Sequence, residues 1–191
     1  MKFNIIAIDA PWSFKTYSDK GKGRSSERHY KTMSFEDICN IPVWKLTDDN
    51  CALFCWATSP MLILALDAIR SWDFTFKGVC FVWVKTTKDG TKPNTGLGYW
   101  SRTSSEFCLL ATKGHPKRVS ASVNQTVLSP RMAHSEKPPE VKKRIVQLMG
   151  DLPRIELFAR VDTEKVDGWR CIGDSLSGRD ICQDIDIVSQ L

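Results

Sequence analysis

Asp9-Ala10-Pro11-Trp12 puts an acceptor carboxylate, a backbone carbonyl, a rigid ring and a flat aromatic within four residues. That set suits an exocyclic amino group on a planar base. Asp9 can accept one N–H, the carbonyl of Ala10 the other, and Trp12 can stack on the ring, a contact worth about 1–3 kcal/mol per base. The same four residues also describe a turn that ends a strand, with proline barring further ladder pairing and Trp12 packed in the core. Taken alone, they favour the turn. Other chemistries lack their residues: there is no G-x-G-x-x-G, no P-loop, no H-E-x-x-H and no spaced Cys/His quartet. Cys51 and Cys55 project the same way from a strand, but no second ligand pair accompanies them, so no metal is expected. His29, His115 and His134 are isolated, and no Ser-His-Asp or Cys-His arrangement can be assembled from sequence order.

The elements that would position Asp9 follow from hydrophobic patterning. Phe3–Ile8 is a continuous apolar run rich in β-branched residues, the pattern of a strand buried on both faces. Similar runs at Cys51–Trp56, Val79–Val84, Glu106–Thr112 and Arg154–Phe158 predict further strands, with another over Asn124–Ser129. Ser34, with Asp37 three residues on, predicts a helix start, and Ser59-Pro60 predicts a helix running to Ser71. Pro138–Met149, apolar at 141, 145, 148 and 149 with Lys142, Lys143 and Arg144 between, predicts an amphipathic helix. Strands alternating with such helices indicate an α/β fold, a mostly parallel sheet with helices on both faces. Ligands of such sheets bind beyond the carboxyl ends of the strands, where Asp9–Trp12, Ala57-Thr58, Lys85, Lys113 and Ala159-Arg160 would lie.

With 191 residues, 42% hydrophobic and 26% charged, the chain fits one globular domain with a real core. No run of eighteen apolar residues and no signal-like start occur, and the seven cysteines sit mostly in apolar runs. An intracellular, cytoplasmic protein with reduced thiols and no membrane partner is therefore expected. Basic charge gathers in two loop-like stretches, Lys15–Lys31 with six Lys/Arg against two acids and Lys85–Arg102 with four against one. Such clustering is the footprint of a protein that approaches phosphates, although a basic solvated surface looks the same by charge alone. From Asp174 onward the balance reverses, with Arg179 against Asp174, Asp180, Asp184 and Asp186.

A longer series of blocks carries more information than any one motif. It runs through His29-Tyr-Lys-Thr-Met-Ser34, Pro42-Val43, Leu53-Phe-Cys-Trp-Ala-Thr58, Phe81-Val-Trp-Val-Lys85 and Gly96-Leu-Gly-Tyr-Trp-Ser-Arg102. It continues through Glu106-Phe-Cys-Leu-Leu-Ala-Thr-Lys-Gly114, His134-Ser-Glu-Lys-Pro138, Glu156-Leu-Phe-Ala-Arg160 and Gly168-Trp169. In this order the chain resembles, from about residue 5 to 175, the adenine-N6 methyltransferases typified by the mRNA adenosine methyltransferase subunit and its small bacterial and phage relatives. Their signature is Asp-Pro-Pro-Trp after the first strand.

The resemblance implies a Rossmann-like methyltransferase using S-adenosyl-L-methionine, with the catalytic strand ahead of the cofactor strand. It implies that Asp9, Ala10, Pro11 and Trp12 hold the target adenine and face the methyl group, with Tyr30 at the pocket edge. Lys113, Glu156, Phe158 and Arg160 fall where the family contacts the cofactor, which Asp9 would also face. The family's Gly-Asn-Gln or Gly-Asn-Glu is here Gly173-Asp174-Ser175; Asp174 keeps an acceptor for a ribose hydroxyl but lacks the amide donor. Ala10 replaces the first proline, keeping the carbonyl while losing rigidity.

The expected organisation is one methyltransferase domain over 1–175, with loops 13–31 and 86–104 inserted, followed by an acidic tail over 176–191. Lys85, Trp100 and Arg102 are the candidate contacts to nucleic acid. DNA is expected ahead of RNA, since the chain shows none of the zinc-finger or partner-binding extensions of the RNA enzymes. The alternatives are an RNA adenine-N6 methyltransferase, a catalytically silent nucleic-acid-binding subunit, and a methyltransferase for small molecules or proteins. Homo- or hetero-oligomers are compatible with all of these.

Overall fold

The computed structural model describes residues 1–13, 32–96, 100–132 and 136–191. Tyr30, most of the loop 13–31 and His134 lie outside the described residues. β1 (Phe3–Ile8) is buried at every position but Asn4, and it lies between two parallel neighbours, β2 (Thr47–Ala57) and β6 (Arg154–Leu157). Ile8 is level with Cys55 on one side and Leu157 on the other, so Asp9 leaves the sheet at its carboxyl edge. β3 (Thr75–Thr86), β4 (Ser105–Lys113), β5 (Thr126–Pro130) and β7 (Arg170–Ile172) complete a sheet ordered β5-β3-β4-β2-β1-β6-β7. The chain moves from β1 to β2 on one side and reaches β6 on the other, which makes the β1/β6 gap the crevice where such sheets bind ligands.

The mostly parallel sheet is as expected, with one strand reversed. Among the described residues β4 runs against both its neighbours, because it returns from β3 through a hairpin-like connection and adjacent strands so joined must be antiparallel. That connection is more ordered than a plain loop. Lys85 N–H donates to Ser104 O at 2.7 Å, Asn94 N–H to Lys85 O at 2.7 Å and Gly96 N–H to Thr103 O at 2.7 Å, so the described parts of 86–104, residues 86–96 and 100–104, prolong the hairpin beyond the sheet edge.

Helices cover both faces. α1 (Phe35–Cys39), α2 (Leu62–Ser71) and α6 (Ile181–Ser189) pack on the face bearing Ile6, Ile8, Leu53 and Cys55. α3 (Pro139–Met149) packs on the face bearing Ile5, Ala7, Phe54 and Trp56. Alternate residues of each strand thus enter different cores, which is why the strands read as unbroken apolar runs. Ser34 caps α1 as predicted, accepting from Asp37 N at 3.0 Å. At Ser59-Pro60 the prediction shifts: Ser59–Met61 forms a 3-10 turn and the α-helix begins at Leu62. Two short helices, α4 (Glu164–Asp167) and α5 (Asp174–Ser177), flank β7, a three-residue strand too brief for a periodic signal.

The acidic tail expected over 176–191 is instead part of the fold. Ile181, Ile185 and Val188 recur at helical spacing and are buried in the first core cluster, while the acids between them face outward or pair. Net charge concealed that apolar stripe. The Met1 nitrogen donates to the carbonyls of Val188 at 3.1 Å and Ser189 at 3.0 Å. The end of α6 therefore lies at the amino edge of β1, and its first turn lies about 13 Å away toward the carboxyl edge.

Candidate active site

Asp9 emerges between the carboxyl ends of β2 and β6, and Lys137, just before α3, reaches it with Nζ 2.6 Å from Oδ2. The same ammonium lies 3.4 Å from Glu106 Oε2 and 5.5 Å from the centroid of the Trp56 ring. Glu106 also receives Lys85, whose ammonium lies 4.9 Å from the Trp83 ring. Trp56 and Trp83 meet edge to face at 6.5 Å. The result is a row of alternating charge, Asp9, Lys137, Glu106 and Lys85, beside aromatic rings that keep water off one side. Burial pushes the Asp9 carboxyl above its ordinary value; Lys137 partly offsets this and the Glu106 charge adds to it. Burial pushes Glu106 up as well, but the two lysines outweigh it and hold that carboxyl below its ordinary value. Burial lowers Lys137, and the two carboxylates more than restore it.

The strip after Asp9 is pinned. Trp12 N–H donates to Ala10 O at 2.9 Å, Met33 N–H to Pro11 O at 3.0 Å, and Trp12 Nε1 to Trp56 O at 3.3 Å. Ala10 O retains a second lone pair, since a carbonyl carries two. Trp12 is half-buried against the first core cluster, and unlike Asp9, Ala10 and Pro11 it is not part of the cleft lining.

Asp9, Ala10 and Pro11 line a cleft of about 600 Å³ together with Phe158, Arg160, Asp174 and Ser175. Phe158 has a φ of 64°, a left-handed conformation costly for a bulky residue and of the kind that marks functional sites. Gly173 abuts it: a Cβ there would lie 2.7 Å from Ala159 O, so only glycine lets β7 run this close. Asp9, Asp37, Asp174 and Asp180 line the cleft against Arg160 and Arg179, an acid-rich interior within a basic chain. That lining and volume fit S-adenosyl-L-methionine, whose sulfonium and ammonium leave it net positive and whose ribose presents two hydroxyl donors.

The predicted residues divide accordingly. Asp9, Ala10, Pro11, Phe158, Arg160, Asp174 and Ser175 meet in this cleft. Glu156 does not line it. The side chain turns to the α3 face, where Lys142 Nζ lies 2.6 Å from it, because alternation along β6 sends Ile155 and Leu157 the other way. Lys113 is misplaced by the expectation: β4 is antiparallel, so its carboxyl end is level with Cys51, about 13 Å down the sheet from Ile8's partner Cys55, and it pairs with Asp73 at 2.8 Å. Lys85 is held by Glu106, and Trp100 and Arg102 are exposed on the 86–104 projection.

Lys137 and Glu106 carry the site's charge, yet sequence reasoning gave them no role. One signal was present: a lysine just ahead of a helix N-terminus opposes the helix dipole, and Lys137 sits one residue before the Pro138 cap of α3.

The model of the MT-A70 family matches residues 3–175. The chain belongs to the MT-A70 family. The MT-A70 fold thus carries both the strip Asp9–Trp12 and the Glu156–Arg160 turn. Among similar proteins is the type II methyltransferase M.MunI of Mycoplasma sp, 30% identical over 185 residues, which cover 88% of this chain and 76% of that protein. The Arabidopsis thaliana N(6)-adenosine-methyltransferase MT-A70-like protein is 27% identical over 178 residues, 92% of this chain and 24% of its own length. The N6-adenosine-methyltransferase non-catalytic subunit MTB, also of Arabidopsis thaliana, is 33% identical over 123 residues, 61% of this chain and 15% of that protein. This MT-A70 chain therefore spans about a quarter or less of the two plant relatives.

Proposed function

We propose that this MT-A70 chain transfers the methyl group of S-adenosyl-L-methionine to N6 of adenine in nucleic acid, with DNA as the substrate. The observation that carries the reading is Asp9 in the cleft lining, its carboxylate held by Lys137 and followed by the pinned Ala10–Trp12 strip. When bound, the cofactor supplies an electrophilic methyl group; Phe158, Arg160, Asp174 and Ser175 are the residues that would hold it.

The adenine amine is a weak nucleophile because its lone pair is delocalised into the ring. The protein's task is orientation, together with stabilising the positive charge that the nitrogen gains. Asp9 and the Ala10 carbonyl accept the two N–H groups, and the indole of Trp12 presents a face for the ring. Asp9 acts as acceptor and electrostatic stabiliser and need not be a strong base, since the amine proton becomes acidic as methylation proceeds. Burial makes the Asp9 charge more effective toward the amine, and Lys137 keeps that charge in place. An adenine in a duplex is inaccessible, so the base must be flipped out or presented single-stranded. Trp100 and Arg102, exposed on the connection between β3 and β4 at the same edge of the sheet, are the residues that would meet the strand. DNA is favoured because the type II methyltransferase is matched over most of its own length, whereas the adenosine-methyltransferase is matched over about a quarter.

The test is transfer of labelled methyl from S-adenosyl-L-methionine to duplex DNA, single-stranded DNA and RNA in parallel, followed by nucleoside analysis. Label in N6-methyladenine from DNA is expected, and it should vanish in Asp9→Asn while the fold and cofactor binding persist. Label on RNA alone would move the substrate to RNA. No label on any substrate from folded, cofactor-binding protein would overturn the catalytic reading in favour of a silent subunit.

A further inference from the structure

The cleft has a wall that the family match does not include. Matching ends at residue 175, yet Gly178 to Cys182 line the cleft beside Phe158 and Asp174. We infer that the first turn of α6, Arg179 to Cys182, is the surface against which the nucleoside half of the methyl donor rests, with Asp180 accepting from its hydroxyls. The inference rests on reading the cleft as the methyl donor's site.

Three features of this turn support it. The turn is tied down by its own hydrogen bonds: Asp180 Oδ1 accepts from Cys182 N at 2.8 Å and Gln183 N at 3.0 Å, and the Gln183 side chain accepts from Asp180 N at 3.3 Å, closing a capping box. Behind it, Asp184, only 3% exposed, accepts from Arg179 Nε at 2.9 Å and Ser177 Oγ at 2.7 Å. Ile181, Ile185 and Val188 fix the helix to the core, so the wall is set by tertiary packing and stays in register with β1 and β6.

The chemistry of the wall is also matched to a nucleoside. Asp180 Oδ2 takes no part in the capping bonds and, with Asp174 nearby in the lining, offers acceptors suited to a vicinal diol. Phe158 supplies a flat apolar face in the same lining, and Ile181 and Cys182 supply apolar edges. Finally, the reacting methyl must lie near Asp9, and Asp9 and this turn line the same cleft. A ligand that fills the cleft with its sulfonium near Asp9 brings one of its two arms here, and the aromatic ring and apolar edges suit the nucleoside arm better than the doubly charged amino-acid arm.

Calorimetric titration of the full chain with S-adenosyl-L-methionine and with 5′-methylthioadenosine, which lacks the amino-acid arm, distinguishes the arms. Asp180→Asn keeps an N-cap, since asparagine caps as well as aspartate, while removing the charge. Thermal melting checks that its fold is retained. Asp180→Asn should weaken both ligands by a similar factor, about tenfold, as expected for loss of a charged hydrogen bond. Cys182→Phe, which fills the lining, should abolish binding of both. Unchanged affinities in both variants would overturn the inference, as would weakening of S-adenosyl-L-methionine with 5′-methylthioadenosine unaffected. If the unaltered chain binds neither ligand, the proposed function itself fails and this inference falls with it.

Discussion

At the scale of single residues, the site turns on one lysine. Lys137 contacts both Asp9 and Glu106, and an opposite charge this close typically lowers a carboxyl pKa by about 1–3 units. In Lys137→Met that offset is lost while burial remains, so the Asp9 carboxyl, already above its ordinary value, should rise further. Asp9 must be ionised to accept the amine, so activity falls as pH drops through its pKa. The acid limb of the pH–rate profile should move up by about one unit or more in this variant. An unshifted limb, with activity simply scaled down, would mean that Lys137 does not govern Asp9 ionisation. Asp9 was legible in the sequence as a candidate because a carboxylate, a carbonyl and an aromatic adjoin one another at a strand end, and its expected role came from the longer series of blocks that resembles the family. Lys137 lies 128 residues away, and only folding brings it to Asp9.

At the scale of elements, α6 shows how charge can conceal packing. Its acids, Asp184 and Asp186 among them, suggested a tail, while Ile181, Ile185 and Val188 form a buried stripe on one face. Ile185 is fully buried, so Ile185→Ala should cost about 2–5 kcal/mol, read as a lower midpoint in urea unfolding. A tail hanging free of the core would give no change. The central strands were legible because both their faces are covered, which yields unbroken apolar runs. β7 was not: three residues cannot display a period, and it is stabilised by its register with β6, Glu156 opposite Cys171. The direction of β4 was equally hidden, and with it the fate of Lys113, since an apolar run reads the same for either direction.

For the whole molecule, charge and topology act together. The interior of the cleft is acid-rich while the chain as a whole carries +5, and the 86–104 projection raises Lys88, Lys92 and Arg102 at the sheet edge that also bears Asp9. Replacing these three with glutamine should weaken DNA binding at low salt. It should also reduce the slope of log affinity against log salt by up to about 0.9 for each duplex phosphate that the protein ceases to neutralise. An unaltered slope would place the nucleic acid elsewhere. By itself the sequence determined the α/β class, the central strands and the place where β1 ends, because these are written in local periodicity and in adjacent residues. The tertiary structure alone decided which distant charges meet Asp9, that Glu156 turns away from the cleft, and that residues 178–182 close it. Those outcomes depend on strand order, strand direction and the face each side chain enters, and a local pattern encodes none of the three.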